Sequence, residues 1–132
     1  MSEWNKIILT PQEFHDKILI LASKIPRGKY TQIYGVPRGG LIAAVYLSHY
    51  CNIELISESR YIIGQENTII VDDISDTGKT LSTYPYSQYD TATIHYKPRS
   101  MRIPNYYVEE INNDIWIVYP YEKIEEIPNR EI

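Results

Sequence analysis

Ile69-Ile70-Val71-Asp72-Asp73-Ile74-Ser75-Asp76-Thr77-Gly78-Lys79-Thr80 runs from an apolar, β-branched segment straight into acids, hydroxyls and a glycine. Residues 68–71 predict a strand buried on both faces, the mark of a parallel sheet. Adjacent side chains on a strand point to opposite sides, so Asp72 and Asp73 do not both serve a core. At a strand end they suit ribose hydroxyls, or a Mg²⁺ ion that bridges a polyphosphate. Residues 76–80 add hydroxyls, a flexible glycine and successive backbone N–H groups. They precede a short helix expected over about 79–84 and limited by Pro85. A turn entering a helix favours an anion through its unpaired N–H groups and the helix dipole. The plainer alternative is a strand–turn–helix with N-capping Asp and Thr. A P-loop is rejected, because the Walker pattern needs glycine where Asp73 stands.

Upstream, Thr10, Pro11 and Glu13 form a capping-box signature. Phe14, Ile18, Leu21, Ala22 and Ile25 then share one helical face, ended by Pro26 and Gly28. A strand-like run at 30–36 closes on Pro37-Arg38-Gly39-Gly40. A second helix with a small-residue face follows, then a short strand at 53–56. Residues 57–67 read as a turn, hairpin or loop. Downstream, strands are expected at 91–96, 106–108 and 116–118, and the tail from 121 onward is charged and peripheral. Alternation of strands and helices predicts one α/β domain over 1–132, with a mainly parallel central sheet flanked by helices. Ligands in such sheets sit beyond the carboxyl ends of the strands. The Arg38-Gly39-Gly40 turn and the Asp72-to-Thr80 segment both fall there.

Bulk composition narrows the class. The chain has 132 residues, 43% hydrophobic and 23% charged, with net charge −4. That length suits one core, and the acidic balance argues against nucleic acid as a partner. A single cysteine, Cys51, forms no intrachain disulfide or zinc cluster. No apolar run approaches a membrane span, and the start lacks a signal peptide. A cytoplasmic protein without a membrane partner is expected.

The 71–80 pattern of apolar strand, Asp-Asp, two residues, Asp-Thr-Gly and then Thr resembles the phosphoribosyl pyrophosphate signature of the type I phosphoribosyltransferases. The resemblance implies that Asp72 and Asp73 hold the ribose hydroxyls and Mg²⁺. It also implies that Asp76, Thr77, Gly78, Lys79 and Thr80 cradle the 5′-phosphate. Arg38-Gly39-Gly40 resembles the family's pyrophosphate loop, with Arg38 as a forked donor to pyrophosphate and Gly39 allowing close backbone approach. Ile94-His95-Tyr96-Lys97-Pro98 and Asn113-Asp114-Ile115-Trp116-Ile117 resemble the 6-oxopurine branch, which includes bacterial xanthine-guanine enzymes. There Lys97 would reach the purine O6, Trp116 would stack on the base, and the backbone at Ile117 would read its edge. Glu122 is a further metal candidate. Trp4 and the helix after it also fit this branch. For each side chain taken alone, a surface lysine or a core tryptophan is the plainer reading.

The resemblance implies transfer of 5-phosphoribosyl from phosphoribosyl pyrophosphate to guanine, xanthine or hypoxanthine, releasing pyrophosphate in purine salvage. Asp76 would be the catalytic carboxylate beside the purine N7. It further implies a small C-terminal base-binding hood and a homo-oligomer, dimer or tetramer. The family's flexible loop, by contrast, is shortened here to residues 57–67. A water-filled site would weaken catalysis. That keeps a second class open, a non-catalytic binder of phosphoribosyl pyrophosphate or a purine nucleotide. A base pocket with Lys97 and Trp116 favours the enzyme, and the short loop favours the binder. A hydrolase using Asp72 as nucleophile has no other support in the chain.

Overall fold

The computed structural model describes residues 5–123. Trp4 and the tail beyond 123 lie outside the described residues. The elements run β1 (Asn5–Ile8), α1 (Pro11–Lys24), β2 (Gln32–Gly35), α2 (Gly39–Tyr50), β3 (Glu54–Ile56), β4 (Thr68–Ser75), β5 (Asp90–Tyr96), β6 (Tyr106–Glu110) and β7 (Ile115–Val118), with short 3-10 turns at Ser59–Tyr61 and Tyr86–Gln88.

The first helix begins as its sequence dictates. Thr10 Oγ1 accepts from Glu13 N–H at 3.1 Å, and Glu13 Oε1 accepts from Thr10 N–H at 2.8 Å. This reciprocal cap satisfies two donors that a helix start leaves open. Phe14, Ile18 and Leu21 are its buried stripe. Strands β3, β2, β4, β5 and β6 form one sheet in that order, parallel throughout. The chain moves from β2 outward to β3, then returns across β2 to β4 and continues in the opposite direction. The order therefore reverses between β2 and β4, and a crevice opens at their carboxyl ends. Residues 37–40 leave β2 there, and residues 76–80 leave β4.

Both helices cover one face of the sheet. Ile18, Leu21, Ala43 and Leu47 pack there against Ile33, Ile69, Val71 and Ile94. Among the described residues, the other face has no α-helix. Tyr34, Val36 and Ile70 are covered by Ile62 and Leu81, which come from irregular connections. The helix expected over 79–84 is absent, and only isolated turns occur before the 3-10 turn at Tyr86–Gln88. Pro85 disfavours helical backbone at Tyr84, and too few residues remain to offset helix nucleation. Residues 57–67 form no hairpin. They make a single 3-10 turn, Ser59–Tyr61, followed by the buried Ile62.

The expected late strand at 116–118 exists, but outside the main sheet. It pairs in parallel with β1, from Asn5 opposite Ile115 to Ile8 opposite Val118. The two chain ends thus build a small second sheet beside the crevice, where the C-terminal hood was expected. β4 is longer than its apolar run. It continues through Asp72, Asp73 and Ile74 to Ser75, so the acids lie within the strand rather than beyond it.

Candidate active site

Two recesses meet at the end of β4. One, of about 90 Å³, is lined by Asp72 and by residues 74–81. The other, of about 300 Å³, is bordered by Asp73, Ile74, Asp76, Thr80, Lys97, Ile115, Trp116, Ile117, Tyr119 and Glu122. Ile74, Asp76 and Thr80 border both. A small polar recess wrapped by a loop joins a larger one with an aromatic wall. Such a pair is shaped for a ligand with an anionic end and a flat end.

The loop at 76–80 packs closely on residues 100–102. Gly78 has φ +81°, and a β-carbon there would collide with Ser100 Oγ and with the backbone of Met101 and Arg102. Met101 N–H donates to Thr77 O at 2.8 Å, which stitches the two segments together. Without a regular helix behind it, the loop offers an anion turn N–H groups rather than a helix dipole. Ser82 N–H donates to Gly78 O at 3.0 Å, closing one such turn.

The acidic pair is tightly placed. Asp72 Oδ1 accepts from Asp73 N–H at 2.9 Å, and Asp73 Oδ1 accepts from Ile74 N–H at 2.8 Å. Burial pushes the Asp72 carboxyl well above the usual carboxylate range, and the neighbouring Asp73 charge adds to the shift. Asp73 Oδ2 accepts from the Tyr121 hydroxyl at 2.8 Å. Across the crevice, a β-carbon at Gly39 would run into that same Asp73 carboxylate. The glycine therefore lets the 37–40 turn touch the acid. Arg38, at the N-cap of α2, makes no side-chain cap and is exposed. The Pro37–Arg38 peptide is cis.

Lys97 is 1% exposed, directly after β5. Burial pushes its ammonium below the ordinary lysine range, and Asp76 opposes that shift. Lys97 Nζ lies 3.4 Å from Asp76 Oδ2, while Arg99 Nε donates to Asp76 Oδ1 at 2.9 Å. Trp116 and Ile117, 7% and 5% exposed, form the apolar wall from β7. Glu122 Oε1 accepts from Tyr119 N–H at 3.0 Å and borders the same recess.

Asp72, Asp73, 76–80, Lys97, Trp116, Ile117 and Glu122 are thus brought to one place. Arg38 lines neither recess, and its neighbour Gly39 makes the contact to the site. Sequence reasoning missed Arg99, Tyr119 and Tyr121. Arg99 could have been found from its spacing, because it follows a lysine already assigned to the site. The two tyrosines belong to a chain rich in tyrosine, 13 in all, so their residue type carried no signal.

The described residues contain no group of three or more His, Cys, Asp or Glu able to hold a metal ion on their own. Two adjacent carboxylates, one strained by burial and like charge, still suit Mg²⁺. That ion commonly takes one or two carboxylates and completes its shell with water and substrate phosphates.

No family model matches the sequence. Xanthine-guanine phosphoribosyltransferase of Cereibacter sphaeroides is 29% identical over 120 residues, covering 72% of this chain and 71% of the relative. The crystal structure of a purine phosphoribosyltransferase from Pyrococcus horikoshii superposes with TM-score 0.76 and 32% identity, over 90% of this chain and 95% of that one. Xanthine-guanine-hypoxanthine phosphoribosyltransferase of Helicobacter pylori shares the fold, with TM-score 0.71, 14% identity and coverage of 97% and 100%.

Proposed function

We propose, because this chain belongs to the type I phosphoribosyltransferase family, that it transfers 5-phosphoribosyl from phosphoribosyl pyrophosphate to a 6-oxopurine and releases pyrophosphate. The observation that carries this reading is the shared border of the two recesses. Asp76 stands between the loop suited to a 5′-phosphate and the pocket of Lys97, Trp116 and Ile117.

In this mechanism the backbone N–H groups of 76–80 hold the 5′-phosphate, and Asp72 and Asp73 hold the ribose hydroxyls. Trp116 stacks on the purine while the Ile117 backbone reads its edge. Lys97 donates to O6, a choice that favours guanine, xanthine or hypoxanthine over adenine, whose amino group there is itself a donor. As the bond from C1 to pyrophosphate lengthens, the ribose carbon gains positive character and the leaving oxygens gain negative charge. The Arg38 guanidinium and the backbone N–H groups of Arg38 and Gly39 stabilise that charge. Asp76 accepts or balances the proton at the purine imidazole edge as the new C1–N bond forms. Asp72 and Asp73, with Glu122 as a further candidate, would hold Mg²⁺, which when bound neutralises pyrophosphate charge. Exposed apolar side chains on α2, Leu41, Ile42 and Val45, support a homo-oligomer.

A second reading, a non-catalytic binder of phosphoribosyl pyrophosphate or a purine nucleotide, is favoured by the short 57–67 connection. It places Ile62 under the sheet rather than a long loop over the site. One panel separates the two readings. The protein is incubated with Mg²⁺, phosphoribosyl pyrophosphate and each of guanine, xanthine, hypoxanthine and adenine, and nucleotide is followed by chromatography. Product with the oxopurines is expected. Ligand binding without product supports the binder, and product with adenine alone removes the role given to Lys97.

A further inference from the structure

A line of polar contacts runs from the surface of α1 to the acidic pair, through a histidine that the transfer chemistry does not use. Lys17 Nζ lies 3.1 Å from Glu109 Oε1 on β6. The same oxygen lies 3.0 Å from His95 Nε2 on β5, and His95 Nδ1 lies 2.9 Å from the Tyr119 hydroxyl. The Tyr119 hydroxyl oxygen also lies 3.2 Å from the backbone carbonyl oxygen of Asp73. His95 and Tyr119 are 1% and 2% exposed, so water does not replace these bonds if they break.

Proton counting fixes the roles. Glu109 is an acceptor, so His95 Nε2 carries the imidazole proton and Nδ1 is left as an acceptor. Tyr119 has one hydroxyl proton, which Nδ1 accepts at 2.9 Å, and the Asp73 carbonyl at 3.2 Å is the alternative acceptor, so the ring nitrogen and the carbonyl bracket the phenol. The Tyr119 ring stacks on Tyr121 with centroids 5.7 Å apart, and Tyr121 binds the Asp73 carboxylate. Tyr119 N–H also holds Glu122. A single phenol therefore couples the backbone of an acid, the neighbour that orients its carboxylate, and a wall of the base recess.

We infer that His95 is a positioning residue, which by fixing Tyr119 keeps the base recess and Asp73 in register. It touches no substrate itself. The inference rests on the transfer reading above for its kinetic form, and on nucleotide binding otherwise. Groups that orient a ligating residue typically change affinity or activity by about 10- to 100-fold when removed.

The test compares His95→Phe, His95→Asn, Tyr119→Phe and the double variant of His95→Phe with Tyr119→Phe. Steady-state kinetics are measured alongside GMP affinity by calorimetry. His95→Phe and Tyr119→Phe are each expected to lower kcat/KM by about 10- to 100-fold. The double variant is expected to be no worse than the poorer single one, because both break the same contact. His95→Asn keeps a polar atom near the position of Nδ1 and is expected to recover most of the loss, although it abandons Glu109. Losses that multiply in the double variant, or a Tyr119→Phe protein with wild-type kcat/KM, overturn the inference. If His95→Phe does not fold, Tyr119→Phe decides, because it keeps the ring and removes only the hydroxyl. If the wild-type protein makes no nucleotide, the transfer reading fails separately. GMP affinity then decides, a fall in Tyr119→Phe supporting the positioning role and unchanged affinity overturning it. Absence of GMP binding to the wild type overturns both.

Discussion

The carboxylate of Asp76 is held by Lys97 on one oxygen and by Arg99 on the other. The group proposed to meet the purine N7 is therefore fixed by the lysine proposed to meet O6. On the proposed function, a purine in the recess would engage both at once, which would tie base recognition to the position of the proton acceptor. Asp76→Asn keeps the shape and removes the charge. It is expected to retain nucleotide binding while kcat falls about 10²- to 10⁴-fold, the usual range for a positioned acid or base. Pre-steady-state measurement of the chemical step, with binding measured separately, checks this.

Lys97 is buried with its charge, and such a group is costly unless partnered. Lys97→Met is expected to reduce kcat/KM for guanine by about 10- to 100-fold, equivalent to one charge-assisted hydrogen bond of about 1.5–3 kcal/mol. It should alter phosphoribosyl pyrophosphate affinity little. Substrate-by-substrate kinetics separate the two effects, and an equal loss for both ligands would point to collapse of the recess instead.

Asp72 is a buried acid beside another acid, with its pKa raised chiefly by burial. Its charge opposes folding in the ligand-free protein, more strongly as pH rises above the unfolded value. Asp72→Asn removes that cost. The variant is expected to melt about 2–5 °C higher at neutral pH without ligand, for a gain of about 1 kcal/mol. It should bind phosphoribosyl pyrophosphate with Mg²⁺ more weakly. Thermal melts with and without ligand read both signs.

His95 has its pKa lowered, first by burial, with Glu109 opposing. The folded state thus prefers the neutral ring. As pH falls below the ordinary 6.5, the unfolded chain takes up a proton that the folded chain resists. Stability is lost from there down through the folded pKa. One proton contributes a slope of at most about 1.4 kcal/mol per pH unit. His95→Asn should lose that component, so its melting temperature should fall less than the wild type's between pH 7 and pH 5.

Much of this arrangement was legible in residue order. The capping box at Thr10 and Glu13, the apolar run into Asp72 and the glycines after Arg38 are local signals, and each element formed where its local chemistry asks. Residues 79–84 did not form a helix, since Pro85 constrains Tyr84 and the remaining turn is too short to nucleate. β1 was not anticipated, because Asn5–Ile8 shows no alternation and exists through pairing with β7 from the other end of the chain. The site followed the same rule. Asp72, Asp73 and Lys97 sit in recognisable sequence contexts. Arg99 is marked only by its place two residues after Lys97, whereas Tyr119 and Tyr121 gain their roles from contacts across the fold of which the sequence carries no mark.

The most direct test of the proposed activity is turnover counted per chain. Purified protein is mixed with Mg²⁺, excess phosphoribosyl pyrophosphate and excess guanine, xanthine or hypoxanthine, and the nucleotide is quantified against protein. Many equivalents of the corresponding 5′-monophosphate per chain are expected, with an equal amount of pyrophosphate. Stoichiometric binding of phosphoribosyl pyrophosphate with no nucleotide from any of the three bases would contradict transfer and leave a binding protein.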